Sequence, residues 1–263
     1  MLAQIVSGTD IADNLAQLTT AARAAASAGA QLVFFPEYTM YEKPVVDSTF
    51  ATVAQPLDGE FGSAVAAVAA ANQVAIAAGV VEYNPNDISR PFNTIAVWDC
   101  DGALAGRHRK SLLYDVATFS ESEFISAGDI HEPSVATING TTFGLQTCYE
   151  LRFPEISRRR MCVGATELAV LSSWVPGRLK TEQWMTLARA RAIENICHVV
   201  AVTQAAPLST GHSLAVAPDG EVLAALGTDA DRVCVEIDPS RTIRQRLADP
   251  AAVEMDLRRL PPS

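Results

Sequence analysis

The sequence predicts an α/β fold built as a single domain over residues 1–263, with a sheet layer covered by helices. Three observations predict it. Apolar runs of strand length alternate with longer segments of helical period: Leu32-Val33-Phe34-Phe35, Val74 to Glu82, Leu168 to Leu171 and Val199 to Val202 are the runs. Turn pairs at Asp101-Gly102, Asn139-Gly140 and Asp219-Gly220 mark hairpins between these units. Apolar residues make up 49% of the 263, enough for a large core. No internal repeat is evident.

The elements follow in order. Leu2 to Ser7 is the tail of a short buried strand. Thr9 or Asp10 caps a helix whose Ile11, Leu15, Leu18, Ala22 and Ala25 form one apolar face, and Gly29 ends it. Leu32 to Phe35 is a strand closed by Pro36. A loop is expected from Tyr38 to Gly59, then a helix from Glu60 to Ala71 and a strand from Val74 to Glu82. Thr94 to Trp98 and Ala103 to Arg107 form a hairpin. Tyr114 to Gly128 has no clear period. Val135 to Ile138 and Thr141 to Thr147 form a second hairpin across Asn139-Gly140. Pro154 suits the first turn of a helix that runs to Cys162, since its missing N–H is not needed there. Lys180 to Cys197 is a long helix. Strands at Leu214 to Ala217, Val222 to Ala224 and Val233 to Ile237 close the sheet region, and the tail from Ser240 has no assigned structure.

Composition excludes several function classes. The net charge is −10, a poor match to nucleic acid, whose phosphates need clustered Lys and Arg. The run Arg158-Arg159-Arg160 is expected to be a solvated helix face or a subunit contact. The five cysteines, Cys100, Cys148, Cys162, Cys197 and Cys234, form no Cys-x-x-Cys pair, and the histidines are scattered. Neither a disulfide framework nor a metal site is expected, and the setting is read as the cytoplasm. The run Ala64 to Val81 is broken by Asn72-Gln73 and reads as a helix followed by a strand, not a membrane span.

Three chemical groups stand at predicted strand ends: Glu37, Lys110 and Cys148. Sites in open α/β folds form beyond the carboxyl ends of strands. A thiol is a weak nucleophile until it loses its proton. A neighbouring carboxylate can take that proton, and a neighbouring ammonium can stabilise the anion. A cysteine where a strand turns into a helix also sits near free backbone N–H groups, which can hold an oxyanion. Taken alone, Cys148 reads more readily as a buried structural cysteine. Gly211-His212-Ser213 resembles a serine elbow, but Ser213 leads into a strand instead of a helix. No glycine-rich phosphate loop is present.

The chain resembles the nitrilase superfamily of carbon–nitrogen hydrolases in four ordered pieces. They are Phe-Phe-Pro-Glu at 34–37, Arg-His-Arg-Lys at 107–110, Phe-Ser-Glu-Ser at 119–122 and Cys-Tyr-Glu-Leu-Arg-Phe-Pro-Glu at 148–155. The resemblance implies a four-layer α-β-β-α sandwich, assembled as a homodimer or larger homo-oligomer. It implies Glu37 as general base, Lys110 as transition-state stabiliser, Cys148 as nucleophile and Glu121 as a second acid that positions substrate and Lys110. Cofactors are not implied. The N–H of Tyr149 is expected in the oxyanion hole. Arg152 is a candidate for a substrate carboxylate or a structural ion pair, and Trp174 for the acyl pocket or plain packing. The branch looks like ω-amidase and deaminated-glutathione amidase, hydrolysing a small amide through a cysteine thioester. N-carbamoyl amino-acid hydrolase or nitrilase is the alternative, and a catalytically silent binding protein on the same fold is the alternative of another class. An activated Cys148 should be alkylated faster than the other four cysteines. Two departures stand out: Leu112 occupies the place of a usual histidine, and Glu150 the place of a usual aspartate.

Overall fold

The runs that are apolar at every position become the central strands of two six-stranded sheets. The computed structural model describes residues 1–116 and 119–251. The first half runs β1 (Leu2–Gln4), α1 (Ile11–Ser27), β2 (Leu32–Phe34), α2 (Thr49–Val53), α3 (Glu60–Asn72), β3 (Ala75–Glu82), β4 (Phe92–Trp98) and β5 (Leu104–Arg109). A two-stranded ribbon, β6 (Asp115–Val116) and β7 (Phe119–Ser120), then leads into a 3-10 turn at Glu121–Glu123. The second half runs β8 (Val135–Ile138), β9 (Thr141–Thr147), a 3-10 turn at Cys148–Arg152, α4 (Pro154–Cys162), β10 (Glu167–Ser172), α5 (Lys180–Asn195) and β11 (Val199–Thr203). It closes with β12 (Leu214–Val216), β13 (Val222–Ala225), β14 (Asp231–Val233) and α6 (Pro239–Ala248).

The first sheet has the order β14-β1-β2-β3-β4-β5 and the second β13-β12-β11-β10-β9-β8. In each, three neighbouring strands are parallel and the flanking strands are antiparallel. Strands β3, β10 and β11 are buried at every residue, the pattern of strands covered on both faces. Three apolar clusters explain it. Phe34, Ile95, Phe143, Leu145 and Leu171 pack between the sheets. Leu18, Val65 and Phe61 of the helices pack on the outer face of the first sheet, and Trp184, Ala188 and Ala192 on that of the second. The layers are therefore α-β-β-α, with both sheets in one continuous body.

Local signals were obeyed where they were strong. Asp10 accepts from the N–H groups of Ala12 and Asp13 at the start of α1. Asn139 and Gly140 both take positive φ, 49° and 80°, as a two-residue hairpin turn requires. Several expectations are corrected. The Tyr38–Gly59 loop contains α2, whose Phe50 is fully buried. The last strand is Asp231–Val233, not Val233–Ile237, and it crosses to the first sheet to pair with β1. The long helix ends at Asn195, two residues early, and the tail from Ser240 belongs to α6 as far as Ala248. Residues 117–118 of the aperiodic stretch and 252–263 of the tail lie outside the described residues. Arg160 is no solvated face: it is 1% exposed and its Nε donates to the Leu145 carbonyl at 3.0 Å.

Candidate active site

Strands from both sheets end at one place. Glu37 follows β2, Lys110 follows β5, Glu121 follows β7 and Cys148 follows β9. Two of these ends turn sharply: Tyr38, next to Glu37, has φ 58°, and Cys148 has φ 45°. A non-glycine residue in that left-handed region costs on the order of 1–3 kcal/mol, so the surrounding packing must hold it. Gly79 of β3 allows the close approach. A Cβ there would stand 2.3 Å from the Tyr38 nitrogen and 2.8 Å from the Glu37 Cα.

The side chains then meet. Lys110 Nζ lies 3.0 Å from Glu37 Oε1 and 2.9 Å from Glu121 Oε2. Asn93 Nδ2 donates to Glu37 Oε1 at 2.6 Å and to Glu121 Oε1 at 3.2 Å. The second Glu37 oxygen accepts from the Ser173 N–H at 2.7 Å. Glu121 also accepts from the Tyr38 hydroxyl at 3.0 Å and the Tyr114 N–H at 2.7 Å. Cys148 Sγ is 3.7 Å from the Ser173 carbonyl. Glu37, Lys110, Glu121 and Cys148 share a wall of a cavity of about 380 Å³, faced by apolar residues that include Val46, Phe119 and Val175. A larger groove of about 880 Å³ runs along α1 and β1 but holds no nucleophile. Chemistry, not volume, selects the site.

Burial pushes the Cys148 thiol far up, and the neighbouring Glu37 carboxylate adds to it. Lys110 opposes by less. The resting group is therefore a thiol. That differs from the expectation that a nearby lysine would favour the thiolate, because Lys110 already serves two carboxylates. For Lys110 itself, burial works against the charge, but Glu121 and Glu37 outweigh it and hold the ammonium well above its usual range. Lys110 stays charged.

The structure brings Glu37, Lys110, Glu121 and Cys148 together and leaves the side chains of Tyr149, Arg152 and Trp174 off the cavity wall. The Tyr149 ring packs between Tyr114 and Phe153. Arg152 donates to Gln183 Oε1 at 2.8 Å and its guanidinium lies over Trp174, 4.9 Å from the ring centroid. Trp174 is buried against Trp184. Ser213, buried just before β12, donates to Gln4 Oε1 of β1 in the first sheet at 2.8 Å. Among the described residues no group of three His, Cys, Asp or Glu side chains could hold a metal ion.

Sequence reasoning missed Asn93, Ser173 and the role of Glu150. Asn93 was legible in principle as a polar residue inside a strand pattern. Glu150 is fully buried, two residues past Cys148. Its Oε1 accepts from the Ser111 N–H at 2.8 Å and hydroxyl at 2.6 Å; its Oε2 accepts from the Thr147 N–H at 2.8 Å and meets His108 Nε2 at 2.6 Å. One carboxylate thus ties the residue before the cysteine to the residue after the lysine. Burial alone would raise this carboxyl, but the His108 charge and these hydrogen bonds hold it at about 2.

The sequence profile of carbon–nitrogen hydrolases matches residues 2–246. The chain belongs to the carbon–nitrogen hydrolase family. A hydrolase of Mycobacterium tuberculosis is 37% identical over 253 residues, 90% of this chain and 88% of that protein. Human ω-amidase is 30% identical over 267 residues, 92% of each. Deaminated glutathione amidase of Escherichia coli O157:H7 is 31% identical over 192 residues, 73% of this chain and 71% of that one. Among solved structures, the Caenorhabditis elegans NitFhit protein superposes with a TM-score of 0.87 at 29% identity, over 96% of this chain and 63% of that longer chain. Saccharomyces cerevisiae Nit3, a member of the nitrilase superfamily, superposes with a TM-score of 0.82 at 26% identity, over 95% and 93%. The protein is a carbon–nitrogen hydrolase on the nitrilase fold. No described helix is long and apolar enough to cross a membrane.

Proposed function

We propose that this carbon–nitrogen hydrolase cleaves a small carboxamide through a thioester on Cys148. The convergence of Glu37, Lys110, Glu121 and Cys148 on one cavity wall carries the reading. Because the resting group is a thiol, Glu37 takes its proton as Sγ attacks the amide carbonyl. The S–C bond forms and the carbonyl π pair moves to oxygen. The Lys110 ammonium and the Tyr149 N–H hold that oxyanion; Tyr149 is the second residue of its 3-10 turn, where an N–H has no partner within the turn. Glu37 then protonates the nitrogen, the C–N bond breaks, and ammonia or an amine departs. Water, deprotonated by Glu37, resolves the thioester to the acid and restores the thiol. Glu121 and Asn93 keep Lys110 and Glu37 in place throughout. The amidase relatives support a small acyl group, and the five free cysteines favour a reducing compartment such as the cytoplasm.

The test is ammonia release from 2-oxoglutaramate, 2-oxosuccinamate, deaminated glutathione, N-carbamoyl amino acids and simple nitriles, with wild type beside Cys148→Ala. Turnover of an amide that disappears in the variant is expected. A variant that keeps the wild-type rate overturns the thioester. Alkylation sharpens the result: Cys162 and Cys234 are exposed and should react first with a general thiol reagent. Cys148 should react with small amide-like reagents at a rate that collapses in Glu37→Gln.

A further inference from the structure

Glu42 is a carboxyl on the cavity wall that the reaction does not use. It is 5% exposed. Its Oε1 accepts from the Lys43 N–H at 3.2 Å, and its Oε2 is buried with no hydrogen-bond partner. A buried carboxyl oxygen is costly to leave unmatched, so one on a residue that lines the substrate cavity points to a group that arrives with the substrate. Burial first, then the Glu37 carboxylate, push this carboxyl well above its usual range; Ser173, the Lys43 N–H and Lys110 pull the other way by less. A carboxyl raised in this way is disposed to keep its proton, and so to donate through one oxygen and accept through the other.

The cations are already engaged. Among the described residues lining the cavity, Lys43 and Lys110 are the basic ones. Lys110 serves Glu37 and Glu121, and Lys43 is paired with Asp47. Lys180, 3.4 Å from the Tyr114 hydroxyl, and Arg152, bonded to Gln183, do not line the cavity. Among the described residues lining the cavity, a carboxylate on the substrate would meet three carboxyl groups and no cation without a carboxylate partner.

We propose that Glu42 is a specificity-determining residue, and that the preferred substrate is a small amide whose far end carries an uncharged hydrogen-bonding group, such as a second carboxamide or a hydroxyl, and no carboxylate. This rests on the amidase reading of the same site. A carboxamide suits Glu42 well: its oxygen accepts the acid hydrogen while its N–H donates back. The apolar walls at Val46, Phe119 and Val175 suit the short chain between.

The experiment compares kcat/KM for four chains of similar length: butanediamide, pentanamide, 4-aminobutanamide and succinamate. Wild type, Glu42→Gln, Glu42→Leu and Cys148→Ala are measured side by side. Butanediamide should exceed pentanamide by about tenfold or more, with succinamate lowest. The diamide-to-pentanamide ratio should survive in Glu42→Gln and fall to about one in Glu42→Leu. Succinamate or 4-aminobutanamide as the best wild-type substrate overturns the proposal, as does an equal loss on all four in Glu42→Leu. The wild-type ranking stands even if Glu42→Leu fails to fold. Amide turnover that persists in Cys148→Ala overturns the thioester reading instead, and silence of the wild type on all four overturns both.

Discussion

Two buried His–Glu pairs use the same chemistry at opposite ends of the second sheet. His108 Nε2 meets Glu150 Oε2 at 2.6 Å, and His198 Nδ1 meets Glu167 Oε2 at 3.2 Å; all four side chains are 1% exposed or less. Glu167 begins β10, whereas Glu150 follows the end of β9, and the two strands are parallel. The first pair therefore lies at the end where Glu37, Lys110, Glu121 and Cys148 gather. The second lies at the far end, where Glu167 also accepts from Thr242 Oγ1 of α6 at 2.8 Å. One pair holds a nucleophile turn to a lysine strand. The other holds the C-terminal helix to the sheet. Position along a parallel strand, not the identity of the pair, separates a support of the candidate site from a purely structural one.

That comparison can be broken. The largest effect is expected for Glu150→Gln. Each Glu150 oxygen meets two donor groups, so an amide nitrogen would face donors on one side. Breaking such a buried pair costs on the order of 3–5 kcal/mol, and a displacement of roughly 1 Å at the cysteine costs about a hundredfold in kcat. Denaturant unfolding and kcat per folded molecule check the two separately. Glu167→Gln should lose stability to a similar extent, about 3–5 kcal/mol, with kcat per folded molecule unaltered. Equal catalytic losses in both variants would erase the distinction.

Acid sharpens it. The Glu150 carboxyl is held at about 2, below its ordinary value of 4.5. Its contribution is full above the unfolded value and is lost as pH falls from 4.5 toward about 2, on the order of 3 kcal/mol in all. Unfolding followed across that window should show the loss, and Glu150→Gln should flatten this part of the profile. The smallest effect belongs to Thr242→Val, which leaves Glu167 short of one hydrogen bond at a cost of about 1 kcal/mol, with no change in turnover. Thermal unfolding beside an activity assay decides it.

Legibility followed distance along the chain. Asn139-Gly140 and Pro154 act within a few residues of themselves and were read correctly, and Asp10 is one of the two caps the sequence offered. Glu37, Lys110 and Cys148 were legible because each closes a predicted strand, and strand ends were expected to converge; Glu121, in an aperiodic stretch, was legible only through the family motif Phe-Ser-Glu-Ser. The destination of Asp231–Val233 was not. A three-residue strand can join either sheet, and only its partner Leu2–Gln4, some 230 residues earlier, decides which. Arg160 looked solvated because its own helix is polar, yet its guanidinium satisfies a carbonyl on β9. Glu42, Asn93 and Ser173 carry no motif, since their roles come from neighbours in other strands and loops.

By itself, then, the order of residues determined the α/β class, most of the central strands, the family and the four groups at the strand ends, because periodicity, turn chemistry and motifs are local. Tertiary structure alone decided the protonation state of the thiol, the occupation of Lys110 by two carboxylates, the free oxygen of Glu42 and the removal of Arg152 from the cavity. Those depend on burial and on partners brought together from distant parts of the chain. Burial and charge–charge distances exist only once the two sheets have packed.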